Sequence, residues 1–354
     1  MLLESCKEHF YRSGIVVAAL LGLLLVCVGS TASATGRSKA HLLPAAGLAS
    51  SPVPRLRRPV AKAARIRRRR RNEARHQPHT AARATISLYE RTVRLTTLRL
   101  QGCSAAKRGV GGIVILDFGQ PAYNGHTYGT NLFSGSFAGN KAITRAMFAY
   151  AAGYRYCLQR HSRLHITLAR GTSNYRPQLP SAYKAGRKWA RETMALARRL
   201  RKHDLDSHVA SAAADDVEPA WDRPFHRTRD FYRGYRDARI GHTLYNYGSL
   251  DGGVGAIWDA RQFFFVTSGM RYAQSIPEIY NHAMAREWAE LAHIARRRYH
   301  RPLRFAGVMT THTSRNHGMK PRDAHRTLVH ALALRIGATA PSVPPTLTNI
   351  RSAD

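Results

Sequence analysis

The chain has 354 residues, 44% of them hydrophobic, which excludes a chain too poor in apolar residues to bury a core and allows one large or two ordinary domains. Its 56 Lys and Arg against 21 Asp and Glu give a formal net charge of +35. Such a field favours polyanions such as nucleic acid, acidic lipid or anionic wall polymer, and has no bearing on fold.

The N-terminus reads as an export signal. Lys7 and Arg12 precede an apolar run from Gly14 to Gly29, and "TASA" at Thr31–Ala34 supplies the small residues of a cleavage site. The run is short for a spanning helix, so residues 1–34 are expected to be a cleaved signal or a retained membrane anchor. Either places the remainder outside the cytoplasm, secreted or anchored to the outer face of the membrane. Residues 35–82 read as a disordered linker rich in Pro, Ala and Arg, where like charges repel and extend the chain. The run suits docking on an anionic membrane surface or wall polymer, or a solvated tether. It lacks interleaved aromatics, and with an export signal in front no nucleic-acid partner is expected.

The folded domain is expected over residues 83–340. "TVRLTTLRL" (92–100) is a candidate strand, and Cys103 and Cys157 form either one disulfide in an oxidising compartment or two unpaired thiols. "GGIVILDFG" (111–119) is a buried strand ending at Asp117, followed by a helix over 144–158 and a strand over 164–171 that runs into Asn174 and Tyr175. A strongly amphipathic helix over 181–203 leads to a strand over 206–215 and then to "DDVEPAW". A helix over 227–239 precedes a strand over 242–249 with Asn246 and Tyr247 at its end. Strands are expected over 262–269, ending at Ser268, and over 275–281, with Glu278 and Tyr280 at its end. A helix over 282–300, a strand over 303–311 and a helix over 321–337 complete the domain, and 341–354 reads as a Pro-rich tail.

Strands alternating with helices predict a parallel sheet. The count and the buried character of the strands favour a (β/α)8-type TIM barrel with one strand missing or irregular. Chemistry in such barrels sits at the C-terminal strand ends. Residues two apart in a strand share a face, so Asp216 and Glu218 face one way with Ala212 and Ala214, while Asp215 faces the other way. Two carboxylates on one cavity, with Asp117 near, suit general acid catalysis: repulsion and burial hold a proton on one while the other stays ionised. Tyr123, Tyr175, Trp221, Tyr245 and Tyr247 offer flat apolar faces for sugar rings. There is no G-x-G-x-x-G, G-x-S-x-G or H-E-x-x-H motif. His312 and His317 are at most a weak ligand pair, and no metal or cofactor is expected.

"ILDFGQP" at Asp117 and "DVE" at Asp216–Glu218 resemble the barrel glycosidases of the chitinase and lysozyme-like muramidase type. The wider pattern "GTSNY … DDVEPAW … NYGS … PEIYN … GVMT" is similar to the exported glycoside-hydrolase-like barrels of Gram-positive bacteria. The resemblance implies Glu218 as proton donor, Asp216 as its carboxylate partner and Asp117 as support. The further Asp residues of the chitinase run are replaced by Ala212–Ala214. Asn174, Tyr175, Trp221, Asn246, Tyr247, Glu278 and Tyr280 are the expected substrate contacts. Two functions follow as expectations: a hydrolase acting on peptidoglycan or another cell-wall polysaccharide, or a catalytically silent barrel that binds it.

Overall fold

The computed structural model describes residues 84–176 and 179–353. The signal or anchor and the linker expected over 1–82 lie outside the described residues. Eight strands form one parallel sheet in the order β10-β11-β1-β2-β6-β7-β8-β9. They are β1 (Thr85–Tyr89), β2 (Gly112–Asp117), β6 (Ile166–Ser173), β7 (Val209–Asp216), β8 (Leu244–Asn246), β9 (Ala273–Ser275), β10 (Val308–Thr310) and β11 (Leu347–Ser352). Helices alternate with them: α1 (Leu95–Lys107), α2 (Asn140–Cys157), α3 (Ala182–Lys202), α4 (His226–Asp237), the short α5 (Ala260–Phe264), α6 (His282–Tyr299) and α7 (Pro321–Ile336). No described helix is long and apolar enough to cross a membrane.

The sheet curls so that its two ends approach. Isolated bridges join Ser275 to Phe305 and Glu278 to Met309, and Met309 donates its N–H to the Pro277 carbonyl at 2.9 Å. The contact is a pair of single-residue bridges rather than a ladder, so the architecture is a TIM-like α/β barrel that is not fully closed.

Both faces of the strands are buried, which is why they read as continuous apolar runs. In β2, Val114 and Leu116 pack under the helices, while Ile113 and Ile115 join an inner cluster with Ala212, Ala214, Tyr245, Tyr247 and Ile350. The long helices follow from periodicity and capping. In α3 the side chain of Ser181 accepts the Lys184 N–H, and Ala185, Trp189, Leu196 and Leu200 bury one stripe.

Three expectations are corrected. Residues 95–107 are helical, not a strand: Leu98, Gly102, Ala105 and Ala106 are buried at helical spacing once the run is read past residue 100. The aromatic run at 262–269 is also helical, because the Asp259 carboxylate and the Gln262 side chain form a capping box that starts α5, which continues as a π-helical turn, Phe265–Gly269. Ser268 is therefore not at a strand end; its hydroxyl accepts the Arg304 N–H at 2.7 Å. The missing strands come from the flanks. β1 precedes the first expected strand, and β11 lies in the expected tail, paired to β10 on one side and β1 on the other.

Cys103 and Cys157 form a disulfide, with Cα atoms 5.0 Å apart, between α1 and α2. The two helices pack backbone to backbone. A Cβ on Gly102 would lie 2.0 Å from the Tyr150 carbonyl oxygen, so a larger residue would force them apart.

Candidate active site

In a parallel sheet all C-terminal strand ends lie at one mouth, and here they are acidic. One carboxylate oxygen from each of Asp216, Glu218 and Glu278 lies within 4.8 Å of the others. Asp216 and Glu278 are 3% exposed, and Glu218 is half-buried. The two-residue period of β7 places Asp216 on the inner face with Ala212 and Ala214, whose small side chains leave space beneath it. Asp117 ends β2 on the same inner face, fully buried, and its Oδ1 accepts the Gly119 N–H at 2.8 Å. Gly171, its partner in register on β6, has no room for a side chain: a Cβ there would lie 2.8 Å from the Asp117 Cα.

Tyr89, at the end of β1, lies among these acids. Its pKa is pushed well above the ordinary value, first by burial and then by Asp216, Glu278, Asp117 and Glu218, so all four carboxylates act on one phenol. It stays a proton donor throughout the neutral range. Its ring packs edge-on against Phe133, 5.0 Å between centroids. Phe133 lies in the turn between the second and third strands of a three-stranded antiparallel sheet at the mouth, built from β3 (Gln120–Tyr123), β4 (Tyr128–Asn131) and β5 (Phe137–Gly139). Tyr280 is raised in the same way, by burial first and then by Glu278, to which its hydroxyl is hydrogen-bonded.

Glu218 is held by its backbone. The Asn174 side-chain amide donates to the Glu218 carbonyl at 3.1 Å, and its carbonyl oxygen accepts the Glu218 N–H at 3.0 Å. On the other side Gly248 packs against the chain just before Glu218, where a Cβ would lie 2.0 Å from the Val217 carbonyl oxygen. The peptide that carries Glu218 is thus clamped from β6 and β8 together.

Several expected substrate contacts are reassigned. Asn174 is fully buried and engaged with the Glu218 backbone and the Thr228 hydroxyl, so it positions Glu218 rather than meeting a ligand. Asn246 lies on the opposite face of β8 from Tyr245 and Tyr247, and its Oδ1 accepts the Gly248 N–H at 3.2 Å. Tyr247 is inside but fully buried beneath the acids; its hydroxyl donates to the Thr172 carbonyl at 3.3 Å, and burial and Asp117 raise its pKa. Tyr175 and Trp221 do form a pair at the rim, with ring centroids 5.9 Å apart; Tyr175 is exposed and Trp221 half-buried. Tyr123 packs at a tilt against Tyr128 within the mouth sheet, ring centroids 4.9 Å apart. Asp215 faces the helices, where Arg176 lies 3.7 Å away; burial pushes its carboxyl up to about 7, against the lowering effect of Arg176.

Sequence reasoning missed Tyr89. The signal is present in "TISLYE", a β-branched run ending in Tyr-Glu inside the expected domain, but the first strand expected there begins only at residue 92. His312 and His317 pair through their backbones, and the His312 ring contacts the Gly318 carbonyl at 2.6 Å. Among the described residues, the only group of three acids, histidines or cysteines spaced to hold a metal ion is Asp216, Glu218 and Glu278. No protein-family model matches the chain, and no curated protein matches it.

Proposed function

We propose that the protein is an exported glycoside hydrolase of the (β/α)8 class that cleaves a cell-envelope glycan. The observation that carries this reading is the close group of Asp216, Glu218 and Glu278 at the strand C-termini, with Glu218 the most exposed of the three. Repulsion among three carboxylates favours a shared proton, and the exposed member is the one a leaving oxygen can reach. Glu218 then protonates the glycosidic oxygen. Asp216, ionised, attacks the anomeric carbon as the bond to the leaving group breaks. Water hydrolyses the glycosyl ester, and Glu218 takes back the proton. A spacing below 5 Å is closer to the roughly 5–5.5 Å of retaining enzymes than to the roughly 6.5–9.5 Å of inverting ones. Tyr175 and Trp221 are placed to stack on a sugar ring, and Tyr89 to donate to it.

The disulfide between α1 and α2 supports an oxidising compartment and hence export. The two bridges across the sheet ends support the (β/α)8 reading, with the join left short of a full ladder. The basic run in residues 35–82 remains a candidate contact for anionic membrane or wall polymer.

The test is release of reducing ends from peptidoglycan and from model polysaccharides by the purified protein. Glu218→Gln and Asp216→Asn are expected to lower the rate at least a thousandfold, with retained anomeric configuration in the wild-type product. Glycan binding with no release by the wild type would leave a binding barrel instead. Full loss of activity in EDTA would transfer the three carboxylates from acid–base roles to holding a cation.

A further inference from the structure

The helices run antiparallel to the strands, so their C-termini and the loops that follow gather at the face opposite the acidic mouth. Six of the loops or helix ends on this face each carry at least one exposed arginine, among them Arg108, Arg163, Arg201, Arg239, Arg271 and Arg301. Cations in the last turn of a helix complement its dipole, but that effect fades within the turn. It accounts for Arg201 and does not account for Arg163, Arg271 or Arg301, which lie in loops beyond the helices. Carboxylates near this face among the described residues include Asp204, Asp206, Asp259, which acts on Tyr299 at the end of α6, and Asp237, the last paired with Arg236 at 2.8 Å. Between the end of α6 and the loop before β11, a cleft of about 450 Å³ is lined by Arg296, His300 and Arg301 together with Pro302 and Pro341.

We infer that this basic face docks on an anionic lipid bilayer and holds the acidic mouth turned away from it. Two features select a bilayer over a linear polyanion. The charges are spread around a rim of separate loops, which matches a plane and not a strand lying in a groove. The cleft lined by Arg296, His300 and Arg301 offers cationic and imidazole groups to a phosphate headgroup. The first described residue, Ala84, lies at the base of β1, on this same face. Each Lys or Arg near an anionic surface contributes roughly 1 kcal/mol, about fivefold in binding. The inference is independent of any hydrolase activity.

The test uses the full chain on vesicles carrying a lipid-borne energy acceptor, with donor dyes on Ser207→Cys at the base or His126→Cys at the mouth, in a background with Cys6 and Cys27 replaced by Ser. On vesicles with 30% phosphatidylglycerol the base dye is expected to transfer energy several-fold more efficiently than the mouth dye. The difference is expected to vanish on pure phosphatidylcholine, in 0.5 M salt, and in the quadruple variant Arg163→Gln, Arg201→Gln, Arg239→Gln, Arg301→Gln, whose melting temperature should match the wild type. The apolar run and linker are present in every sample, so attachment through them is common to the wild type and the quadruple variant and cannot separate the two. Equal transfer from both dyes on anionic vesicles, or a base preference unchanged in the quadruple variant, overturns the inference.

Discussion

Asn174 shows how a residue that looks like a ligand contact serves the site from behind. Its amide satisfies both the N–H and the carbonyl of Glu218, groups that would otherwise be left without their partner at a half-buried turn. Asn174→Ala is expected to destabilise the fold by about 1–3 kcal/mol in urea titration. By letting Glu218 drift, it is expected to lower kcat about a hundredfold with KM little changed. Glu90 offers a second test at this scale. It is fully buried between β1 and α1, accepts a 3.4 Å bond from the Gln101 amide, and burial raises its pKa to about 8 from 4.5. The folded protein therefore holds a proton there that the unfolded chain releases above about pH 4.5. Its stabilising effect is present below that pH and is lost as pH rises toward 8. Glu90→Gln should raise the melting temperature at pH 8 by several degrees and change it little at pH 4. The facing of Asp216 and Glu218 was legible because the period of a strand is two and the alanines before them are small. The arrival of Glu278 and Tyr89 was not, because it depends on which strands become neighbours across the mouth.

At the level of elements, the disulfide and the α1–α2 contact act as one unit. Gly102 and Gly153 let the two helix backbones touch, and Cys103–Cys157 ties them over a sequence separation of 54. Replacing both cysteines by Ser is expected to cost about 2–4 kcal/mol, a fall in melting temperature of roughly 5–10 °C by calorimetry. Elements were legible where burial and period agree, as in α3, α6 and β2. They were misread where composition opposed local geometry. "QFFFVTSG" has the residues of a strand, yet the Asp259 capping box commits it to a helix before its aromatics can pair. "TVRLTTLRL" is rich in strand formers, but its buried positions continue at helical spacing through Ala106.

For the whole molecule, the sheet depends on its last strand. β11 pairs through Leu347–Thr348–Asn349 with β10 and through Thr348–Ser352 with β1, and buried hydroxyl contacts cross the join, Ser87 to Thr348 at 2.7 Å and Thr85 to the Leu347 carbonyl at 3.2 Å. A chain ending at residue 346 is expected to show no cooperative thermal transition by circular dichroism, since β1 and β10 would both become bare edges. The barrel class could be read from the alternation of elements; the place of its final strand could not, because nothing local marks a six-residue segment after a Pro-rich stretch as the neighbour of a strand more than 250 residues earlier.

That placement has a consequence for biosynthesis. A polypeptide emerges N-terminus first, so β1 and β10 both leave the ribosome or a secretion pore before the strand that joins them exists outside. Until Leu347–Ser352 follows, each offers an unpaired edge able to recruit another chain. Closure of the sheet is then limited by the emergence of this one strand, and a holding chaperone would be needed until it has followed.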